Sequence, residues 1–246
     1  MRKVTYVLKV GGAALTDKNT GRSFVSEVSD YVAADIRKGT RIIVVHGAGY
    51  GAHRFVRSRG MRRAADNQAD WARLRRNVSK ITATMIDRFI AYGHAAIELS
   101  VPSMVRTSSG RITEFNLYPV KAYLDMGFVP IMHSDAPPDS KYGVSVLSGD
   151  DIAVYLANML RAKALIFGID IDGIRSSDGR ILKAVRKQNI GKLYTWDVND
   201  VTGGMKRKLA EIGKLRAGTS AYIISLRKRG SLSKVLYGKG AGTKIY

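Results

Sequence analysis

The feature that most constrains this chain is a junction that recurs along it. A short apolar run closes on glycine or acid, and a stretch with helical spacing follows. "VTYVLKV" (4–10) runs into Gly11 and Gly12, and "RIIVVHGAG" (41–49) ends on Gly47, Ala48 and Gly49. "KALIFGIDIDG" ends on Asp170, Ile171, Asp172 and Gly173. After the first of these, Phe24, Val28, Val32 and Ile36 recur at helical spacing within residues 24–38. Over residues 71–92, Trp71, Leu74, Val78, Ile81, Met85 and Phe89 share one face, with Gly93 as a stop. Strands are predicted at 95–100 and 128–135, and a helix after Pro119. Helices at "DIAVYLANMLRA" and "GGMKRKLAEIGKLRAG" and strands at "AYIIS" and "AGTKIY" complete the alternation. Strands alternating with helices predict an α/β fold with a mainly parallel sheet covered on both faces. The 246 residues suffice for one large domain or two intimate lobes. "SSGRI" (108–112) reads as a turn. "DAPPDSKYG" (135–143) is the richest in turn residues and reads as a lobe boundary or a mobile loop.

Charge narrows the partners. There are 41 Lys and Arg against 20 Asp and Glu, a formal net charge of +21. Such a balance favours anions, either polynucleotides or small phosphates. The basic residues fall in separate groups, with no aromatic stacking motif beside them, so a basic nucleic-acid-binding α/β protein is the distant reading. No cysteine is present, which removes disulfides and thiolate metal sites, and the four histidines lack metal-ligand spacing. No apolar run has the length of a membrane span, and Arg2 and Lys3 lead into a strand and not a leader-like run. These traits fit an intracellular, cytoplasmic protein without membrane insertion.

In open α/β sheets ligands bind beyond the carboxyl ends of the strands. Glycine lets the backbone come close to an oxyanion, and N–H groups at a helix start attract it. Four such blocks occur: Gly11-Gly12, Gly47-Ala48-Gly49, Ser148-Gly149-Asp150-Asp151 and Asp170-Ile171-Asp172-Gly173. No Walker A loop is present, and "GAGYGA" (47–52) is not a complete dinucleotide fingerprint. Lys9 stands among apolar residues just before a glycine turn, which aims its ammonium over a phosphate site. Lys208 offers a second cation, one turn into the helix that "DVTGGM" (200–205) opens. Two such lysines can neutralise a phosphoryl group in transfer.

"LKVGG" (8–12), "SGDDIA" (148–153), "DIDGI" (170–174), "DVTGGM" (200–205) and "GTKI" (242–245) resemble the blocks of the amino acid kinase family, in its order. Within that family the chain resembles the archaeal-type isopentenyl phosphate kinases, because "HGAGYGAH" (46–53) is similar to their glycine loop closed by histidine. Ala48, Tyr50, Gly51 and Ala52 depart from that pattern. So do Ile169, where threonine is usual, and Ser134, which precedes Asp135 where Gly-Asp is common.

The resemblance implies a three-layer α/β/α sandwich, the amino acid kinase fold, as one domain over 1–246. Its lobes would be 1–147 for the acceptor and 148–246 for the nucleotide. It implies ATP-dependent phosphorylation of a small phosphorylated isoprenoid, with Mg²⁺ riding on ATP, no metal ligand from the protein, no specific nucleic acid and a homodimer. The catalytic set is then Lys9, His53, Lys208 and Asp151, with Asp151 orienting the two lysines. Lys9, Gly11, Gly12, Lys18 and Lys208 would hold the ATP phosphates. Asp170, Asp172, Gly173, Gly203 and Gly204 would complete the ATP site. Gly47, Ala48, Gly49, Ala52, His53 and Gly149 would hold the acceptor, with backbone N–H groups near Gly47, Gly49 and Gly149 on its phosphate. His46 reads as a structural hydrogen-bonding residue. Another phosphate or phosphonate acceptor, such as a nucleoside monophosphate or fosfomycin, is the alternative within the fold.

Overall fold

In the computed structural model, residues 4–17, 19–49, 68–176, 178–193 and 203–246 are described. All six residues of the first strand, β1 (Thr5–Val10), are buried, Lys9 included. That follows from its place inside a parallel sheet, where both faces are covered and the sequence reads as a continuous apolar run. α1 (Gly12–Leu15) and α2 (Val25–Asp35) lead to β2 (Arg41–His46). α3 (Gln68–Ala91) precedes β3 (Ala96–Glu98). Gly93 at φ 80° ends α3, and His94 N–H reaches back to Phe89 C=O at 3.0 Å, as a left-handed helix stop requires. β4 (Val105–Ser108), β5 (Arg111–Phe115), α4 (Tyr118–Asp125) and β6 (Val129–His133) follow. Then come β7 (Pro138–Asp139), β8 (Gly143–Val144), α5 (Gly149–Met159), β9 (Ala164–Ile169) and β10 (Ala184–Val185). α6 (Gly203–Gly213), β11 (Ser220–Ser225), α7 (Ser231–Leu236) and β12 (Thr243–Ile245) close the described chain.

Eight strands form one sheet in the order β10-β12-β11-β9-β1-β2-β6-β3. Its neighbours are parallel except β11 and β12. β1 lies at the middle, with Lys9 level with Val45 of β2 and Phe167 of β9. The two faces of β1 feed two cores. Tyr6, Leu8 and Val10 pack with Val28 and Val32 of α2, Met85 and Phe89 of α3, and Leu232 of α7. Val7 packs on the other side with Ile152 and Leu156 of α5 and Met205, Leu209 and Ile212 of α6. This is the expected three-layer sandwich. Because side chains alternate along a strand, Lys9 shares the face of Val7, beneath α5 and α6.

The segment 135–143 departs from the reading as an open loop. β7 and β8 join a four-stranded sheet in the order β5-β4-β7-β8. Its turn residues build a hairpin around buried Asp139. That carboxylate accepts hydrogen bonds from the Thr107 hydroxyl at 2.9 Å and from the N–H groups of Ser109, Gly110, Lys141 and Tyr142 at 2.8–3.1 Å.

Candidate active site

The carboxyl ends of β1, β2, β6 and β9 meet the N-terminus of α5, and Lys9 lies at that junction. Its side chain is 8% exposed, and its Nζ is 2.7 Å from Asp150 Oδ1. The other oxygen of Asp150 accepts from Lys208 Nζ at 3.2 Å. One carboxylate therefore joins the central strand to α6. Burial pushes the Lys9 pKa below its ordinary value; Asp150 opposes this, while Lys208 and Arg207 add to it. Burial acts to raise the Asp150 carboxyl, but the Lys9 and Lys208 charges outweigh it and hold it below the usual range. Two ammonium groups against one carboxylate leave positive charge at the strand ends, where an anion would bind.

The acid between the lysines is Asp150, which corrects the expectation for Asp151. In α5, Asp150 shares a face with buried Ala153, Val154 and Ala157, turned to the sheet. Asp151 is rotated away. It accepts from Arg207 Nη2 at 3.1 Å and from the Ser148 hydroxyl at 2.7 Å, and its own N–H donates to Ser148 Oγ, which caps the helix. The buried stripe at i, i+3, i+4 and i+7 is the sequence signal that selects Asp150.

Glycine backbone forms the floor around Lys9. A Cβ built on Gly47 would stand 3.1 Å from Gly12 N, and one on Gly12 would stand 3.4 Å from the Gly49 backbone. A Cβ on Gly149 would lie 3.0 Å from Ser134 Oγ and 3.3 Å from both His46 O and Lys9 Cε. At Gly47 and Gly149 a side chain would press on the neighbouring strand ends. The main-chain donors need a correction, though. Gly47 N–H already donates to Val10 C=O at 2.9 Å, and Gly149 N–H donates to Ser134 Oγ at 2.8 Å. Gly11 N–H donates to Gly168 C=O at 2.7 Å. These glycines supply close approach, because their amides are engaged in joining the strand ends. Ala48 is half-buried between Gly47 and Gly49.

Beyond β9, Asp170 is exposed and Asp172 pairs with Lys228 at 2.6 Å. Gly173 has φ 147°, and a Cβ there would fall 2.8 Å from Thr243 Oγ1. That oxygen accepts from Ile174 N–H at 2.8 Å, so the terminal "GTKI" block braces the acidic loop. A cleft of about 280 Å³ lies next to this loop, bordered by Asp172, Ser225, Lys228, Lys234 and Gly242. Lys9 does not line it, and Ile224 and α7 place it on the sheet face opposite α6. Gly203 and Gly204 open α6, which carries Lys208.

His46 is buried, donating from Nδ1 to Gly47 C=O at 2.9 Å and accepting at Nε2 from Thr82 Oγ1 at 2.8 Å. Burial pushes its pKa down to about 3, the Gly47 bond opposing and His133 and Lys9 adding to the fall. A neutral ring bonded at both nitrogens is the structural role expected of it. Lys18, Ala52 and His53 lie outside the described residues. Sequence reasoning missed Asp150, Arg207 and Ser134. Among the described residues, no group of three or more acids and histidines is placed to hold a metal.

A parallel sheet whose carboxyl edge carries a glycine floor and two lysines on one buried carboxylate is built for phosphate groups. The class so defined is an α/β phosphotransferase. The chain belongs to the amino acid kinase family, whose match extends over residues 4–225. It is 29% identical to the isopentenyl phosphate kinase of Methanocaldococcus jannaschii, over 97% of each chain. It is 30% identical to that of Thermoplasma acidophilum, over 89% of this chain and 91% of the relative. An X-ray structure of an isopentenyl phosphate kinase superposes with a TM-score of 0.78 at 23% identity, over 98% of this chain and all of the other.

Proposed function

We propose that this protein transfers the γ-phosphoryl group of ATP to isopentenyl phosphate, giving isopentenyl diphosphate and ADP. The observation that carries the reading is the Lys9–Asp150–Lys208 bridge over the glycine floor. The relatives named isopentenyl phosphate kinase, similar along nearly the whole chain, support the choice of acceptor.

The acceptor is itself a phosphate monoester, whose second pKa is about 6. Its attacking oxygen is largely ionised at neutral pH, so no strong base is required. The barrier lies in bringing two anions into line. Lys9 and Lys208 offset that repulsion, and they act most strongly where negative charge moves in the transition state. Asp150 pairs with both ammonium groups and fixes their separation. Gly11 and Gly12 leave room for the ATP phosphates beside Lys9, and Asp170, Asp172 and Gly173 border the nucleotide. His53 donates to the acceptor phosphate, which separates it from a carboxylate or an alcohol. Mg²⁺ travels with the ATP phosphates, as hard cations with oxygen ligands do. The same reading carries an acceptor lobe over 1–147, a nucleotide lobe over 148–246, a homodimer and a cytoplasmic location. Among the described residues no helix is long and apolar enough to cross a membrane.

The test is ATP consumption against a panel of isoprenoid monophosphates, nucleoside monophosphates, fosfomycin and amino acids. Turnover of isopentenyl phosphate is expected. Turnover confined to another member of the panel overturns the assignment of the acceptor.

A further inference from the structure

Ser134 stands just beyond the carboxyl end of β6, before Asp135. The backbone N–H and C=O of Ser134 and its side-chain oxygen all bond at the junction. Its N–H donates to His46 C=O at 3.0 Å, and its C=O accepts from His133 Nδ1 at 2.9 Å. Its Oγ accepts the Gly149 N–H at 2.8 Å. Both histidines are fully buried, so the two backbone bonds fix the residue against the core. The half-buried side chain sits beside the α5 N-terminus, where a Cβ on Gly149 would touch both Ser134 Oγ and Lys9 Cε.

A hydroxyl has one proton to donate as well as lone pairs to accept with. Ser134 Oγ takes the Gly149 N–H through a lone pair, which leaves its own O–H directed elsewhere. Among the described residues that proton meets no acceptor. An O–H donor with no protein partner among the described residues, its oxygen fixed by the Gly149 amide next to Lys9 and the glycine floor, is matched to an anion that is not part of the protein.

We propose that the Ser134 hydroxyl binds the acceptor phosphate, relaying outward the donor capacity that it takes up from the Gly149 amide. A glycine at this position would leave the Gly149 N–H to face the phosphate directly. Serine inserts one heavy atom between the two and moves the donor away from the helix end. Ser134 thereby becomes a specificity-determining residue for the position of the acceptor phosphate. This rests on the kinase reading above.

The experiment is steady-state kinetics of wild type, Ser134→Ala and Ser134→Thr, with isopentenyl phosphate and ATP varied in turn. A hydrogen bond to a charged group, when lost, corresponds to about a ten- to hundredfold weakening. Ser134→Ala is expected to raise KM for isopentenyl phosphate by about that factor and to leave KM for ATP unchanged. Ser134→Thr keeps the hydroxyl and is expected to stay within about threefold of wild type. If Ser134 only staples β6 to α5, its loss disturbs Asp150 and both lysines. Then kcat and KM for ATP fall out of line together, which overturns the proposal. An unchanged KM for isopentenyl phosphate in Ser134→Ala also overturns it, while leaving the kinase reading intact. Wild-type enzyme that does not turn over isopentenyl phosphate refutes the kinase reading and this proposal with it.

Discussion

Lys9 and Asp150 form an ion pair of 2.7 Å with each side chain only 8% exposed. The second oxygen of Asp150 holds Lys208, so a contact between the central strand and one helix reaches a second helix. Lysine near the end of a buried strand is costly unless its charge is paired. Here the pairing partner also sets where the charge points.

Removal of either lysine should therefore act on turnover. Lys9→Ala and Lys208→Ala are each expected to lower kcat by about a hundred- to a thousandfold, the usual effect of deleting one transition-state electrostatic contact. Isopentenyl phosphate binding should weaken far less, because the charge matters most where negative charge shifts. The measurement is kcat from steady-state assays alongside calorimetric binding of isopentenyl phosphate. Near-wild-type kcat in either variant removes that lysine from the mechanism.

The two adjacent acids should separate cleanly. Asp150→Asn leaves two ammonium groups facing each other without a counter-charge and should cost about 3–5 kcal/mol of stability. It should also lower kcat. Asp151→Asn loses an ion pair to Arg207, whose side chain is 57% exposed, and should cost less than about 1 kcal/mol. Urea denaturation of both variants checks this, and equal losses would contradict the assignment of Asp150.

Much of the site was legible because strand ends announce themselves. An apolar run stopping at glycine locates the carboxyl edge of the sheet, and Lys9 is conspicuous there for its apolar neighbours. The choice between Asp150 and Asp151 was legible only through the helical stripe of Ala153, Val154 and Ala157, since both acids sit in the same motif. The hairpin at 138–144 was hidden for a different reason. Pro, Asp and Gly mark a turn equally well in a free loop and in a tight hairpin. What decides is the set of N–H groups collected by Asp139, which come from two separate segments of the chain. Ser134 stood out as a departure from the family pattern, yet its bond to Gly149 depends on two strand ends meeting.

Asp139 sets a pH dependence of stability. Burial acts to raise its pKa, but bonds from the Gly110, Tyr142 and Lys141 amides and the Thr107 hydroxyl outweigh it and hold it well below the usual carboxylate range. A carboxyl depressed in the folded state stabilises above its unfolded pKa of about 3.9 and loses that contribution as pH falls toward the folded value. Asp139→Ala leaves four part-buried backbone amides and the buried Thr107 hydroxyl without this acceptor and should lose about 1–3 kcal/mol at pH 7. The gap to wild type should shrink below about pH 4. Thermal melts from pH 7 down to 3 test it, and a gap that widens in acid would contradict it.

His53 should report on the acceptor and not on ATP. A charge-assisted bond to phosphate is worth about 1.5–3 kcal/mol. His53→Ala should accordingly lower kcat/KM for isopentenyl phosphate by about ten- to a hundredfold. His53→Gln, which can still donate, should retain part of the activity. Calorimetric ATP binding should barely change in either. A selective loss of ATP affinity would make His53 structural.

The central claim is that a bridge of two lysines on one carboxylate serves phosphoryl transfer to a phosphate acceptor. The most direct measurement is ³¹P NMR of wild-type protein with ATP, Mg²⁺ and isopentenyl phosphate. The account predicts that the monophosphate resonance gives way to the paired resonances of a diphosphate ester while ADP accumulates. ATP hydrolysis to free phosphate with the isopentenyl phosphate signal unchanged would contradict it.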